Sequence, residues 1–213
     1  MSYKIPIYNA DGKQVDTLTL DDKIFWSTVT PDVMHEYVLM QNNNARTSNA
    51  HTKTRAEVSW SGKKLYKQKK TGNARTWDRR SPIRKWGWVA FGPTNEINWT
   101  KTMNRKQRRL AVLWAFINKL QTNGVCVVDG YKIDKISTKS AYTLLKNLSF
   151  DNNKNIIMSS DYDITLNKSF RNIENLRYMS VDYMNVVDLL RFKNLIIIGK
   201  DWVNKIVEKF TEK

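Results

Sequence analysis

Thirteen of the forty residues from Arg46 to Lys85 are lysine or arginine. Only Glu57 and Asp78 oppose them, so the stretch carries +11 of the net +16 of a 213-residue chain. Such cations neutralise phosphates and release the counterions condensed on a polyanion. Trp60, Tyr66 and Trp77 stand among them. Unpaired bases stack on rings of this kind while arginine and lysine hold the neighbouring phosphates. The chemistry is that of nucleic-acid binding, set against the plainer alternative of a disordered, solvated basic linker. Apolar residues are sparse, chiefly Val58, Leu65 and Ile83. No helical or strand period runs through the stretch, so it cannot bury enough surface to fold alone. A loop this long inside a compact domain is either functional or disordered.

The order of residues goes further than composition. The chain reads KTRAEVS from Lys53, SGKKLYKQKKTGNAR from Ser61 and RRSPIRKWGWVAFGP from Arg79. This closely resembles the signature of the large-subunit ribosomal protein four family. Lys53, Thr54, Arg55, Glu57 and Val58 match its start. Lys64, Gln68, Lys69, Thr71, Gly72, Ala74 and Arg75 match its middle, and Arg80, Ser81, Pro82, Gly87, Phe91, Gly92 and Pro93 its end. Weaker similarity extends over most of the chain. There are departures: Leu65 for a proline, Tyr66 and Arg84 for tryptophans, Lys70 for a glycine and Asn73 for an arginine.

The resemblance implies a non-enzymatic structural protein of the large ribosomal subunit, without cofactor, metal or catalytic residue. Its globular part would lie outside, and the basic loop would thread through ribosomal RNA to the peptide exit tunnel. The tip, about Tyr66 to Arg75, would lie near the narrow part. An early role in assembly is implied too. The implied partners are large-subunit ribosomal RNA, neighbouring large-subunit proteins and the nascent peptide, with no membrane. RNA contact is expected of Arg46, Lys53, Arg55, Lys63, Lys64, Lys67, Lys69, Lys70, Arg75, Arg79, Arg80, Arg84 and Lys85, with Tyr66 and Gln68 beside them.

Trp26, Trp60, Trp77, Trp86 and Trp88 fall where the family pattern has glycine or another small residue. Moving all five to glycine would raise that residue from 8 of 213 to about 6%, near the usual figure of roughly 7%. One cause would suffice: a codon, UGA, that the source reads as glycine and that is rendered here as tryptophan. The rival reading is that the rings are real and stack on bases.

A basic pI near 9.9 argues for nucleic acid or an anionic surface. No apolar run reaches the length of a spanning helix, and the start, MSYKIPIYNADGK, has no apolar signal segment. A cytosolic protein is expected, and the single Cys126 agrees. Flanked by valines, it reads as an inert buried thiol.

The rival from another class is an RNA-modifying enzyme such as a methyltransferase. Such folds place a glycine-rich turn after the first strand. No two of the eight glycines are one residue apart, and no phosphate-binding GxxxxGK[ST] occurs. His35 and His51 lack a second ligand at metal spacing; His35 reads as an ordinary helix residue, and His51 as a contact to RNA or water. Asp161 and Asp163 could pair as carboxylates, although a solvated loop is the plainer reading. Met158, Met179 and Met184 read as core filler.

The remaining elements must position the loop. Residues 3–8 and 15–20 predict a hairpin about Asn9-Ala10-Asp11-Gly12. Thr30-Pro31 starts a helix whose stripe is Val33, Met34, Tyr37, Val38 and Met40, and the asparagines at 42–44 end it. A second helix follows Asn104, with Leu110, Leu113, Trp114, Ile117 and Leu120 on one buried face and Gly124 at its end. Its first turns carry Arg105, Lys106, Arg108 and Arg109. Cations at a helix start oppose the dipole unless an anion is near, so these form an expected second RNA contact. Strands are expected at 125–128, 155–158, 177–181 and 195–198, and helices at 137–148, 166–176, 186–190 and 201–210. The alternation predicts one layered α/β domain with a mostly parallel sheet, made of residues 1–44 and 90–213. The loop at 45–89 is inserted in it after the first helix.

Overall fold

The computed structural model describes residues 3–20, 30–133, 135–150, 153–199, 202 and 205. Two apolar residues alternating with polar ones, Ile5 and Ile7, bury one face of β1 (Tyr3–Tyr8). The turn at Asn9–Gly12 returns the chain antiparallel as β2 (Gln14–Leu20). Helix α1 (Pro31–Ala45) starts on the proline, whose missing N–H is no loss in a first turn. Its Met34 is buried, and Val33, Tyr37 and Val38 pack against the core. The helix continues through the asparagines expected to stop it. Asn44 explains this locally: its side chain donates to Lys101 O at 3.1 Å and accepts from Lys101 N at 2.8 Å, a tertiary tie that outweighs weak propensity.

Helix α2 (Arg105–Gln121) follows Asn104, which forms no side-chain capping bond. Its buried face is broader than the periodicity suggests and is rotated. Ala111, Val112, Ala115 and Phe116 are buried with Leu113, Ile117 and Leu120, whereas Leu110 faces outward. The helix ends through Asn123, in the left-handed region at φ 52°, and not through a left-handed Gly124. Asparagine tolerates that region because its short polar side chain bonds locally. The chain then alternates regularly: β3 (Val125–Val128), α3 (Thr138–Asn147), β4 (Asn155–Ser159), α4 (Ile164–Phe170), β5 (Leu176–Ser180), a 3-10 turn at Val181–Tyr183, α5 (Val186–Arg191) and β6 (Asn194–Ile198). Ser137 caps α3 by accepting from Ser140 N. Asp163 caps α4 by accepting from Thr165 N at 2.8 Å, so this helix begins earlier and ends sooner than the 166–176 expected. The helix expected at 201–210 lies outside the described residues except for Trp202 and Lys205, both helical.

The six strands form one sheet, in the order β2-β1-β3-β6-β4-β5. All neighbours except β1 and β2 are parallel. β3, β6 and β4 are buried at every position, which is why they read as unbroken apolar runs. Alternate residues feed opposite layers. Val125 and Val127 join Ile197, α2 and α5, while Cys126 and Val128 join Ile196, α3 and α4. Connections β3→β4 and β4→β5 run one way along the sheet and β5→β6 runs back. A single crossover hand sends such connections to opposite faces, as found. Met158, Met179 and Met184 lie in the first of these cores.

The chain divides into two compact units, residues 1–40 with 102–213, and Gln41–Lys101. The first contains the sheet.

Candidate nucleic-acid interface

Between α1 and α2 the chain forms neither helix nor strand, yet its backbone is not unpaired. Ser48 Oγ donates to Thr94 O at 3.2 Å, Thr52 N to Pro93 O at 2.9 Å, and Val89 N to Lys53 O at 3.4 Å. Leu65 N donates to Trp77 O at 3.1 Å, and the Tyr66 hydroxyl bonds Ala74 O. With the Asn44–Lys101 tie, these links zip two runs of chain side by side into an irregular arm. Its tip is the segment from Tyr66 to Arg75. Close approach is built in: a Cβ on Gly87 would lie 1.9 Å from Ser81 O, and one on Gly92 2.0 Å from Thr52 Oγ1.

The arm has almost no interior. Its one buried residue is Asp78, 3% exposed. Oδ1 of Asp78 accepts from Arg80 N at 3.0 Å, and Oδ2 from Arg80 Nε at 2.8 Å, with Arg55 Nη2 at 3.7 Å. The Arg80 amide, then its guanidinium, holds this carboxyl below the usual carboxylate range. The other acid, Glu57, accepts from Thr54 N at 2.7 Å and Thr54 Oγ1 at 2.9 Å, with His51 Nε2 at 3.4 Å. The Thr54 amide and hydroxyl hold its carboxyl low as well. His51 thus has an acidic neighbour within its own loop. Both acids are engaged internally, and the outward charge is almost wholly positive.

The predicted RNA contacts are placed as follows. Arg46, Lys53, Lys63, Lys67, Gln68, Lys69, Lys70, Arg75, Arg79, Arg84 and Lys85 are exposed; Lys64 and Tyr66 are half-buried. Arg55 is exposed as well, with Nη2 3.7 Å from Asp78, and Arg80 is half-buried against Asp78. Lys64 Nζ donates to Gln68 Oε1 at 2.5 Å, and Arg84 Nη2 to the Tyr66 hydroxyl at 3.4 Å. Four cations lie over indole rings: Arg46 on Trp99 at 3.7 Å, Arg79 on Trp60 at 4.6 Å, Lys64 on Trp77 at 5.4 Å and Lys85 on Trp86 at 5.8 Å. Each is worth roughly 0.5–1 kcal/mol at an exposed site. The Arg46–Trp99 pair is not legible in the sequence, because 52 intervening residues separate its members. Ile83, Trp86 and Phe91 are strongly exposed. In the sheet unit, Arg105, Lys106, Arg108 and Arg109 are exposed on the first turns of α2.

Among the five tryptophans at glycine-like positions, Trp86 has φ 70°, in the left-handed region, as does Lys70 at φ 64°. Trp60, Trp77 and Trp88 lie outside that region, and Trp26 lies outside the described residues.

Asp163 caps α4, and Asp161 Oδ1 meets Lys205 Nζ at 2.7 Å, so each carboxylate has its own task. Burial pushes the Cys126 thiol up to about 12. Among the described residues no three His, Cys, Asp or Glu form a metal-binding group, and no helix is long and apolar enough to cross a membrane.

Residues 18–209 match the model of the ribosomal protein L4/L1 family. The chain is 38% identical over 205 residues to the large ribosomal subunit protein uL4 of Desulforamulus reducens, covering 96% of this chain and 98% of that one. It is 37% identical to the uL4 proteins of Symbiobacterium thermophilum, over 96% and 98% of the two chains, and of Alkaliphilus oremlandii, over 97% and 99%. A match that runs through both the sheet unit and the basic arm leaves one assignment: the chain belongs to the ribosomal protein L4/L1 family.

Proposed function

We propose that this chain is a structural constituent of the large ribosomal subunit and holds its RNA through two cationic surfaces. One is the arm from Arg46 to Lys85; the other is the start of α2 at Arg105, Lys106, Arg108 and Arg109. The observation that carries this reading is an arm with no apolar core, its acids engaged internally and its cations turned outward. Such a surface neutralises phosphates without regard to sequence. The exposed Phe91 ring, outside the glycine-like tryptophan positions, adds stacking on unpaired bases.

The protein acts without catalysis and without a cofactor, in the cytoplasm as part of the ribosome. Neighbouring large-subunit proteins complete its surroundings, and no membrane is involved. The tip from Tyr66 to Arg75 reaches the peptide exit tunnel and lies beside the nascent peptide. An arm enclosed by RNA must be in place while that RNA folds, so the protein joins assembly early.

Sedimentation of tagged protein from its native cell tests this. Comigration with large subunits, lost on ribonuclease treatment, is the expected result. Protein remaining at the top of the gradient would overturn it.

A further inference from the structure

We propose that Asp78 is the positioning residue of the basic arm: it turns Arg80 inward as a brace and leaves phosphate contact to the exposed cations around it. The bracing concerns the arm alone, whereas the division of labour among cations rests on the RNA-binding reading above.

The argument starts from burial. A unit without an apolar core still needs something to fix its path, and the one buried side chain from Gln41 to Lys101 is a carboxylate. A carboxylate covered from water by its neighbours needs donors in place of that water. Arg80 supplies two of them, through its amide and its Nε. The same guanidinium donates through Nη1 to Arg55 O at 3.3 Å, which ties the outgoing run of the arm to the returning one. Arg80 O accepts from Trp88 N at 2.8 Å, which fixes the residue on a further side. Space is short as well: a Cβ on Gly62 would lie 2.9 Å from Arg80 Nη2. The Arg80 side chain is only 22% exposed. An arginine engaged at its amide, its carbonyl and two guanidinium nitrogens is a strut. Lys69, exposed at the tip, has no such ties among the described residues and is free to meet a phosphate.

The test uses the full chain and four variants: Asp78→Asn, Arg80→Gln, the two combined, and Lys69→Gln. Hydrogen exchange of the Trp88 amide is followed in the free protein. Binding to purified large-subunit ribosomal RNA is measured across a salt series. Both single changes at the brace are expected to speed exchange by about tenfold or more, since each removes a hydrogen bond to a charged group. The double variant is expected to exchange no faster than either single, the mark of two residues acting as one unit. Arg80→Gln should leave the salt slope at its original value, whereas Lys69→Gln should reduce it by about 0.7–0.9, one phosphate's share. An unprotected Trp88 amide in the original chain, additive effects in the double variant, or an Arg80→Gln slope as reduced as that of Lys69→Gln would each overturn the proposal. Absence of any salt-dependent RNA binding would refute the functional reading instead, and the exchange data would still decide the brace.

Discussion

The two units of this chain are ordered by opposite means. The sheet unit sandwiches three wholly buried strands between helices, and its largest fully buried side chains include Phe116, Phe170, Ile157 and Leu195. The arm buries one carboxylate and holds its course by backbone links and the Arg46–Trp99 contact. Apolar burial is non-directional and tolerates many sequences of similar pattern. A fold held by polar links needs each partner in place. The first unit is held by apolar burial, and the second by polar links whose partners are each specific.

The largest test of this contrast removes the arm. Replacing residues 46–85 with a short Gly/Ser linker should leave a cooperatively folding sheet unit while RNA binding weakens and loses most of its salt dependence, because +11 of charge departs. Circular dichroism and a salt series of binding measurements check both halves; an unchanged salt slope would refute the arm as the main electrostatic contact. A core truncation comes next. Ile157→Ala should cost about 2–5 kcal/mol of global stability by denaturant melting. Ile83→Ala, at a side chain 92% exposed, should stay within about 0.5 kcal/mol.

Acid should separate the units in another way. The Asp78 carboxyl is held below its ordinary value of 3.8. A group whose folded pKa is depressed contributes stability that is present above the unfolded value and lost as pH falls through the folded one. Exchange protection around Ser81 and Trp88 should therefore persist above about pH 4 and fade below it, and Asp78→Asn should abolish that pH dependence. The smallest effect concerns Trp86. A ring residue at positive φ is strained by roughly 1–2 kcal/mol, so Trp86→Gly should leave stability unchanged or slightly raised. We further propose that glycine occupies this and the related tryptophan positions in the native protein. Peptide sequencing of material from the native source decides it: tryptophan at Trp60, Trp77 and Trp88 would end the idea, and their ordinary φ values and cation contacts at Trp60 and Trp77 are the features that favour real rings.

Residue order and pattern alone determined the family, the alternation of strands and helices, the buried apolar strands and the basic character of the segment after α1. Period-2 and unbroken apolar runs write burial directly into sequence, and Ser137 and Pro31 mark helix starts by local chemistry. Tertiary structure alone decided the rest. Asn44 continues α1 because Lys101 lies beside it. Leu110 faces outward because the packing partners of α2 select a different arc, one that small residues such as Ala111 and Ala115 fill. Asn123 takes the left-handed position, one residue before the Gly124 expected to end the helix. Above all, Asp78 is an isolated acid among cations in sequence, with nothing to distinguish it from a solvated side chain. Its burial follows from where Arg55 and Arg80 come to lie, and a polar link between distant residues leaves no periodic trace in the chain.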